Sequence, residues 1–298
     1  MRKWWLLLAG WALWSGLGYA LFGRPSAQVD AHASGTPLSM RIVSMGPNLT
    51  EILYALDLGP QIAGVTTGSD YPPDAADKPK VGSFWQPNIE AIIATRPDLV
   101  VTLGFEQQRS LAQRLRRMGY DALTLEIDTI EGLFRSILAT GAATGASTRA
   151  QELVGDMRTR IRTLQARTAA IDRAKVLWVV QREPLRVAGR DTFPNELIEL
   201  ASGQNAIGPT LQKYPPVGAE QIIASGIQVI FEPTMVAGDE RKQREQALQY
   251  WARYPHIPAV ANERIYIVDG DLVSRLGPRL YEGVETIARC LRPELFGE

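Results

Sequence analysis

Two glutamates occupy the same position in two matching segments of the chain. Glu90 begins the run Glu-Ala-Ile-Ile-Ala-Thr, and Glu220 begins the run Glu-Gln-Ile-Ile-Ala-Ser. An apolar stretch follows each run after three further residues, so each predicts a short helix, a tight turn and a strand. A carboxylate in the first turn of a helix is favoured by the helix dipole alone. Because both repeats carry one, we also expect a symmetric surface that docks onto arginines of a two-fold partner.

Aromatic residues precede both of these helices. Trp85 lies just before the Glu90 helix, and Tyr214 lies just before the Glu220 helix. If the two repeats face each other, the flat rings suit a large apolar or ring-bearing ligand in a cleft. The alternative is that each ring packs beneath its own loop.

Three arginines lie close together in the segment that follows the first strand of the second half. Arg182, Arg186 and Arg190 surround Pro184. Guanidinium groups at this spacing could clamp carboxylates or a phosphate of a ligand. The alternative is a solvated loop without a ligand.

The residue patterns of common enzymes are absent from the sequence. There is no G-x-S-x-G, H-E-x-x-H or Walker A motif. Of the two histidines, only His256 lies outside the N-terminal segment, which argues against a transition-metal cage and leaves a hydrolase as a remote alternative. The formal net charge is zero, so no nucleic-acid partner is expected. The sequence therefore gives no sign of a common enzyme, and no metal or cofactor of the protein's own is expected.

Strand and helix patterns alternate in two regions, residues 41–128 and 172–298, which predicts two α/β lobes with mostly parallel sheets. A helical bridging segment at 129–171 separates them. Within it, the helix predicted at 148–170 has a stripe of apolar residues three and four apart, at Val154, Met157, Ile161 and Leu164. We therefore expect two Rossmann-like lobes joined by one long rigid helix, with a ligand cleft between them and only small lobe motions.

The N-terminal segment has the features of an export signal. Residues 1–3 are Met-Arg-Lys, residues 4–22 are largely apolar, and Ala31-His32-Ala33 offers a cleavage site. An apolar run of this length also approaches the roughly 20 residues that span a bilayer. Residues 1–33 are thus predicted to be a signal peptide or an N-terminal membrane anchor, and 34–40 a linker. The single cysteine, Cys290, argues against lipid attachment at the N-terminus.

Several segments together resemble a known family. They are Arg41-Ile-Val-Ser-Met-Gly-Pro-Asn-Leu-Thr-Glu51, Ser69-Asp-Tyr-Pro-Pro73, Trp85-Gln-Pro-Asn-Ile-Glu90 with Pro97-Asp-Leu-Val100, Asn195-Glu-Leu-Ile-Glu-Leu-Ala201 and Gly277-Pro-Arg-Leu-Tyr-Glu-Gly283. As a set they resemble the periplasmic solute-binding proteins of ABC importers for vitamin B12 and iron chelates, in which one rigid helix joins two α/β lobes.

The resemblance is greatest to the cobalamin binders and implies a corrinoid ligand, with a ferric siderophore or haem as the alternative. It implies a ligand site formed by Trp85, Tyr214, Asp70, Tyr71, Arg182, Arg186, Arg190 and Arg275. It also implies that Glu90 and Glu220 dock onto a permease dimer in the inner membrane, driven by an ATPase, and that the protein is a periplasmic monomer. A different class of function is a membrane-anchored docking or sensing module that has lost transport.

Overall fold

The computed structural model describes residues 40–168, 172–234 and 239–297. The predicted signal or anchor segment at 1–33 lies outside these ranges, as does the linker except for Met40. Within the described ranges, no helix combines the length and hydrophobicity that a membrane span requires.

The first lobe is a parallel sheet of four short strands covered by helices. The strands are β1 Ile42–Ser44, β2 Ile62–Val65, β3 Leu99–Leu103 and β4 Ala122–Leu125, in the order β2-β1-β3-β4. The helices are α1 Pro47–Ala55, α2 Pro73–Ala76, α3 Ile89–Ala94 and α4 Glu106–Arg117. Every residue of β1 and β3 is buried, as expected for parallel strands with both faces covered.

Two helices lead from the first lobe to the second. They are α5 Ile130–Thr144 and α6 Ser147–Thr168, and Gly145 between them has φ 78°, a left-handed conformation that ends α5. The predicted apolar stripe of α6 is buried. The last predicted residues of this helix, 169 and 170, lie outside the described residues.

The second lobe is a mixed sheet of five strands. They are β5 Ala174–Arg182, β6 Leu185–Val187, β7 Gly203–Asn205, β8 Val229–Pro233 and β9 Ile265–Val268, in the order β6-β5-β8-β9, with β7 also paired to β5. Only β6 is antiparallel. The helices are α7 Phe193–Leu200, α8 Ala219–Ala224, α9 Glu240–Trp251, α10 Pro258–Ala261, α11 Gly270–Ser274 and α12 Leu280–Leu291. The predicted two-lobed α/β fold with mostly parallel sheets is confirmed.

One apolar core continues from lobe to lobe through the bridging helices. The same cluster of buried side chains includes Ile42 of the first lobe, Met157 of α6 and Ile287 of α12. Because interiors packed in this way resist deformation, the shared core supports the expectation that the lobes move little relative to each other.

The two matching sequence segments fold alike. Each begins with a six-residue helix, α3 or α8, whose central isoleucine, Ile92 or Ile222, is fully buried. A residue with positive φ follows each helix, Arg96 at 49° and Gly226 at 64°.

The strand after each helix is anchored in the same way. The side chain of Asp98 accepts a hydrogen bond from the backbone N–H of Arg41 at 2.7 Å, and Gln228 accepts one from Lys175 at 2.8 Å. The repeat in the sequence is therefore a repeat in space, which places Glu90 and Glu220 at equivalent positions of the two lobes.

Candidate functional site

The lobes meet at the carboxyl ends of their strands. Asn48, in the helix that follows β1, donates from Nδ2 to the backbone oxygen of Leu276 at 3.2 Å. Glu51 of the same helix accepts two hydrogen bonds from Arg279, at 2.9 and 2.7 Å. Leu276 and Arg279 both lie beyond β9 of the second lobe. Since open parallel sheets bind ligands at the carboxyl ends of their strands, the predicted cleft lies beside these contacts.

Glu51 and Arg279 form an ion pair that is largely removed from water. Glu51 is 4% exposed, and the Arg279 side chain is 16% exposed. The hydrogen bond to Glu51 raises the pKa of Arg279, while burial opposes this shift. Sequence analysis did not assign a role to either residue.

Three predicted site residues come together next to this ion pair. Arg275 donates a hydrogen bond to Asp70 of the first lobe at 2.8 Å and forms an ion pair with Asp271 at 2.9 Å. The ring of Tyr71 lies beneath the guanidinium of Arg279, 3.9 Å from its ring centroid. Burial tends to raise the pKa of Asp70, but the hydrogen bond and charge of Arg275, with the charge of Arg279, bring that pKa below its usual value.

Trp85 is the exposed member of a cluster of three aromatic rings on the first lobe, whose other two rings are partly buried against the core. Its ring centroid lies 4.8 Å from that of Phe84 and 5.5 Å from that of Phe105. Trp85 is 66% exposed, so it does not pack beneath its own loop. Phe105 follows β3, and Trp85 follows β2, so the cluster lies at the carboxyl edge of the sheet. Sequence analysis found only the tryptophan.

A tight turn around Gly82 presents Trp85. Gly82 has φ 105°, and a Cβ atom there would lie 2.5 Å from the backbone nitrogen of Asn88. The backbone N–H of Ser83 donates to the carbonyl oxygen of Gln86 at 3.0 Å. Only glycine fits this conformation without displacing the backbone that opposes it.

Tyr214 lies in an exposed loop of the second lobe that the backbone holds at two points. The N–H of Val187 donates to the oxygen of Pro215 at 3.2 Å, and the N–H of Gly189 donates to that of Lys213 at 2.8 Å. Tyr214 is 41% exposed, and partial burial raises its pKa. Leu211 of the same loop is fully exposed and was missed by sequence analysis.

The three clustered arginines have different local partners. Arg182 donates to Glu232 at 3.0 Å, Arg186 donates to the backbone oxygen of Tyr214 at 3.2 Å, and Arg190 donates to that of Ile207 at 3.3 Å. None of these partners is shared, so the structure does not build a single clamp from the three. A ligand contact by any one of them stays a prediction.

Glu90 and Glu220 are exposed in the first turns of α3 and α8. Neither carboxylate forms an ion pair or a hydrogen bond with another of the described side chains. Ile223, three residues after Glu220 on the same helix, is 63% exposed. Each lobe thus presents an uncompensated negative charge on its surface.

The residues that could bind a metal or act as nucleophiles are scattered. In the described part of the chain, no three His, Cys, Asp or Glu side chains are arranged to hold a metal ion. His256 is exposed in the turn before α10. Burial raises the pKa of the Cys290 thiol to about 11, so this thiol is not ionised near neutral pH.

Residues 42–272 match the family model described as "Periplasmic binding protein". The ABC transporter substrate-binding lipoprotein YvrC of Bacillus subtilis is 34% identical over 267 residues, covering 87% of this chain and 82% of that protein.

Two solved structures from Vibrio cholerae have the same fold. The vitamin B12 binding protein BtuF has a TM-score of 0.71 and 26% identity, covering 86% of this chain and 97% of its own. The haem binding protein HutB has a TM-score of 0.74 and 26% identity, covering 85% and 99%. The chain therefore belongs to the periplasmic binding protein family, as a substrate-binding protein of the ABC transporter type and not an enzyme.

Proposed function

We propose that this protein captures a corrinoid ligand between its two lobes and delivers it to the permease dimer of an ABC importer. The observation that carries this proposal is the exposed ring of Trp85, which packs on the partly buried Phe84 and Phe105 at the carboxyl edge of the first sheet. Exposure of a large aromatic side chain to water is energetically unfavourable, so its position at the surface favours a role in binding.

Both lobes contribute aromatic surface to the proposed site. Trp85 on the first lobe and Tyr214 on the second offer flat faces to a planar, ring-bearing ligand. The similarity to a vitamin B12 binding protein over 86% of the chain supports a corrinoid. The ion pairs of Glu51 and Arg275 border the site and hold the lobes together, which suits a preformed cleft.

Haem or a ferric siderophore is the second candidate. Haem is favoured by Tyr71, which is 43% exposed at the lobe junction, because a tyrosine phenolate is one of the known axial ligands of haem iron. The similarity to a haem binding protein also supports this alternative.

Glu90 and Glu220 are proposed to dock onto arginines of the permease. Each is exposed, uncompensated among the described side chains and located at the same position of its lobe. Two equivalent charges match a partner built from two identical subunits.

The family is periplasmic, and we propose that the segment 1–33 exports this chain. If it is not cleaved, this segment would hold the protein at the inner membrane. Because the proposed site lies between two lobes of one chain, we propose that the protein works as a monomer with the permease and its ATPase as partners.

Calorimetric titration tests the proposed ligand. The full-length chain is titrated with cyanocobalamin, haemin and a ferric catecholate siderophore in turn. Cyanocobalamin is expected to bind most tightly, and Trp85→Ala should weaken it by about tenfold or more, as expected when a large aromatic contact is lost. Met118→Ala, which removes an exposed apolar side chain at the far end of α4, is the control. Tighter binding of haemin would replace the corrinoid with the second candidate.

A further inference from the structure

A cavity of about 690 Å³ lies in the second lobe, between α9 and the ends of β5 and β8. All of its lining residues belong to this lobe. None of them is Trp85, Tyr214, Tyr71 or Arg275, so it is separate from the aromatic surfaces described above. Its volume falls within the range of sites for small molecules.

Most of the charged side chains in the cavity wall neutralise one another. Arg182 is paired with Glu232 at 3.0 Å, and Arg253 is paired with Glu183 at 3.9 Å. Glu232 is 3% exposed and also accepts a hydrogen bond from the indole N–H of Trp251 at 2.8 Å. An arginine held in this way is already compensated, so it is poorly suited to bind a second carboxylate.

One charge of each sign is left in the wall. Lys242 and Asp239, at the start of α9, form no ion pair with another described residue, and they balance each other in sign. The wall is therefore polar but has no excess of either charge.

Neutral amides dominate the rest of the lining. Four glutamines contribute to it: Gln181, Gln243, Gln246 and Gln249. The side chains of Gln246 and Gln249 form no hydrogen bond with any described residue. They are three residues apart on α9, so they lie on the same face of the helix. Each amide offers two donors and one acceptor, which match another carboxamide or a hydroxyl group.

The cavity lies at the carboxyl edge of the second sheet, the edge that also carries the contacts to the first lobe. Arg182 ends β5 and Glu232 is near the end of β8. Arg275 and Arg279, which bind the first lobe, follow β9 at the same edge. A large ligand between the lobes can therefore extend one side into this cavity.

We propose that this cavity binds uncharged carboxamide or hydroxyl groups on the periphery of the ligand held between the lobes. The inference rests on the proposed function for the position of the ligand. The inference also specifies the chemistry of the ligand: its side that faces the second lobe carries neutral hydrogen-bonding groups. A ligand with several carboxylates at that position would face Glu232, Glu183 and Asp239, with Lys242 as the single unpaired cation among the described lining residues.

Fluorine NMR of the full-length chain labelled with 5-fluorotryptophan tests the inference, because the buried Trp251 lies behind the cavity wall and donates its indole N–H to Glu232 of that wall. The probes are cyanocobalamin, its monocarboxylic acids (each with one amide hydrolysed) and maltotriose as a neutral hydroxyl-rich compound. We expect cyanocobalamin to shift the Trp251 resonance saturably, and at least one of the acids to bind about tenfold more weakly.

A matched pair of variants assigns the effect to the amides. Gln246→Ala with Gln249→Ala should raise the Kd for cyanocobalamin by about tenfold, since each lost hydrogen bond is worth up to about 1.5 kcal/mol and 1.4 kcal/mol is tenfold. Arg241→Ala with Glu245→Ala, on the same helix but outside the cavity and equal in net charge, should leave the Kd within about twofold.

The outcomes separate this inference from the proposed function. If cyanocobalamin shifts Trp85 but not Trp251, and the glutamine variant binds normally, the cavity assignment is overturned and the proposed function stands. If maltotriose shifts Trp251 and cyanocobalamin shifts neither Trp251 nor Trp85, the cavity takes hydroxyl groups and the corrinoid proposal fails. If all of the monocarboxylic acids bind as tightly as cyanocobalamin, the proposed chemical class is overturned. If no probe shifts either Trp85 or Trp251, both the cavity assignment and the proposed function are overturned.

Discussion

Arg279 of the second lobe binds Glu51 of the first through two hydrogen bonds, although 228 positions separate them in the sequence. Glu51 is 4% exposed, so its charge is removed from water and compensated mainly by this arginine, with Arg275 at 4.0 Å as a second cation. The pair joins α1 to the segment between α11 and α12 at the edge of the cleft. The separation of the lobes is thereby set by a contact between two side chains as well as by the bridging helix.

Removing one partner of this pair should destabilise the fold. Glu51→Gln leaves Arg279 without a buried counter-charge, and we expect a loss of about 3 kcal/mol in the free energy of unfolding. Glu131→Gln is the control, because it breaks a 3.0 Å ion pair with Arg158 in which both side chains are about half exposed, and should cost less than about 1 kcal/mol. Urea denaturation measures both, and equal losses would show that the Glu51 pair is no more than a surface contact.

The pKa of Asp70 should lie below the usual value of an aspartate, which is about 3.9. Its pKa is lowered in the folded state in spite of burial, because Arg275 and Arg279 favour the charged form. The stability that Asp70 contributes is therefore complete above its unfolded pKa and is lost as the pH falls through the lower folded value. Since Asp70 is 60% exposed, this contribution is small.

Carbon NMR of the Asp70 carboxyl group measures this pKa directly. In Arg275→Gln it should rise, because the main partner of the carboxylate is gone. Arg158→Gln removes a distant arginine and should leave it unchanged. An Asp70 pKa that does not respond to Arg275→Gln would contradict the contact between the lobes.

The turn that presents Trp85 should depend on glycine at position 82. Gly82→Ala strains a backbone at φ 105° and also places a Cβ atom 2.5 Å from the nitrogen of Asn88. Gly119 has a similar φ of 88° but no atom within 4 Å of the added carbon. We therefore expect Gly119→Ala to cost about 1 kcal/mol and Gly82→Ala clearly more, with weaker cyanocobalamin binding only in the latter. Thermal unfolding and calorimetry check both, and equal effects would refute the steric argument.

Charge reversal at the two repeated glutamates should separate docking from capture. Glu90→Lys with Glu220→Lys is expected to abolish uptake in cells with the cognate permease while the Kd for ligand stays within about twofold, because these exposed side chains lie outside the aromatic site. Glu152→Lys with Glu263→Lys makes the same change in charge at other exposed glutamates. Loss of ligand binding in the first variant, or equal loss of uptake in the second, would refute the docking role.

Local patterns in the sequence predicted the long bridging helix and the two matching helix–turn–strand segments. The alternating apolar residues of α6 and the two helix–turn–strand segments of Glu90 and Glu220 depend on neighbours a few positions apart, and the structure contains both. The sequence carries little signal for β6 and β7, because each has only three residues and Gly203-Gln204-Asn205 has no apolar pattern.

Long-range contacts could not be found in the same way. The pairing of Arg182 with Glu232 depends on β5 continuing to residue 182 and on β8 lying beside it. The association of Trp85 with Phe105 likewise depends on the parallel order of β2, β1 and β3. Sequence spacing therefore indicated the residue types of the site but not their partners.

The capture of a corrinoid between the lobes is tested most directly by fluorine NMR of the chain labelled with 5-fluorotryptophan. Trp85 is exposed at the proposed site, whereas Trp178 is 2% exposed in the core and serves as the internal reference. We predict that cyanocobalamin shifts the Trp85 resonance saturably, with the Kd measured by calorimetry, while Trp178 stays unchanged. A Trp85 resonance that does not move under conditions where calorimetry detects binding would contradict the proposed site.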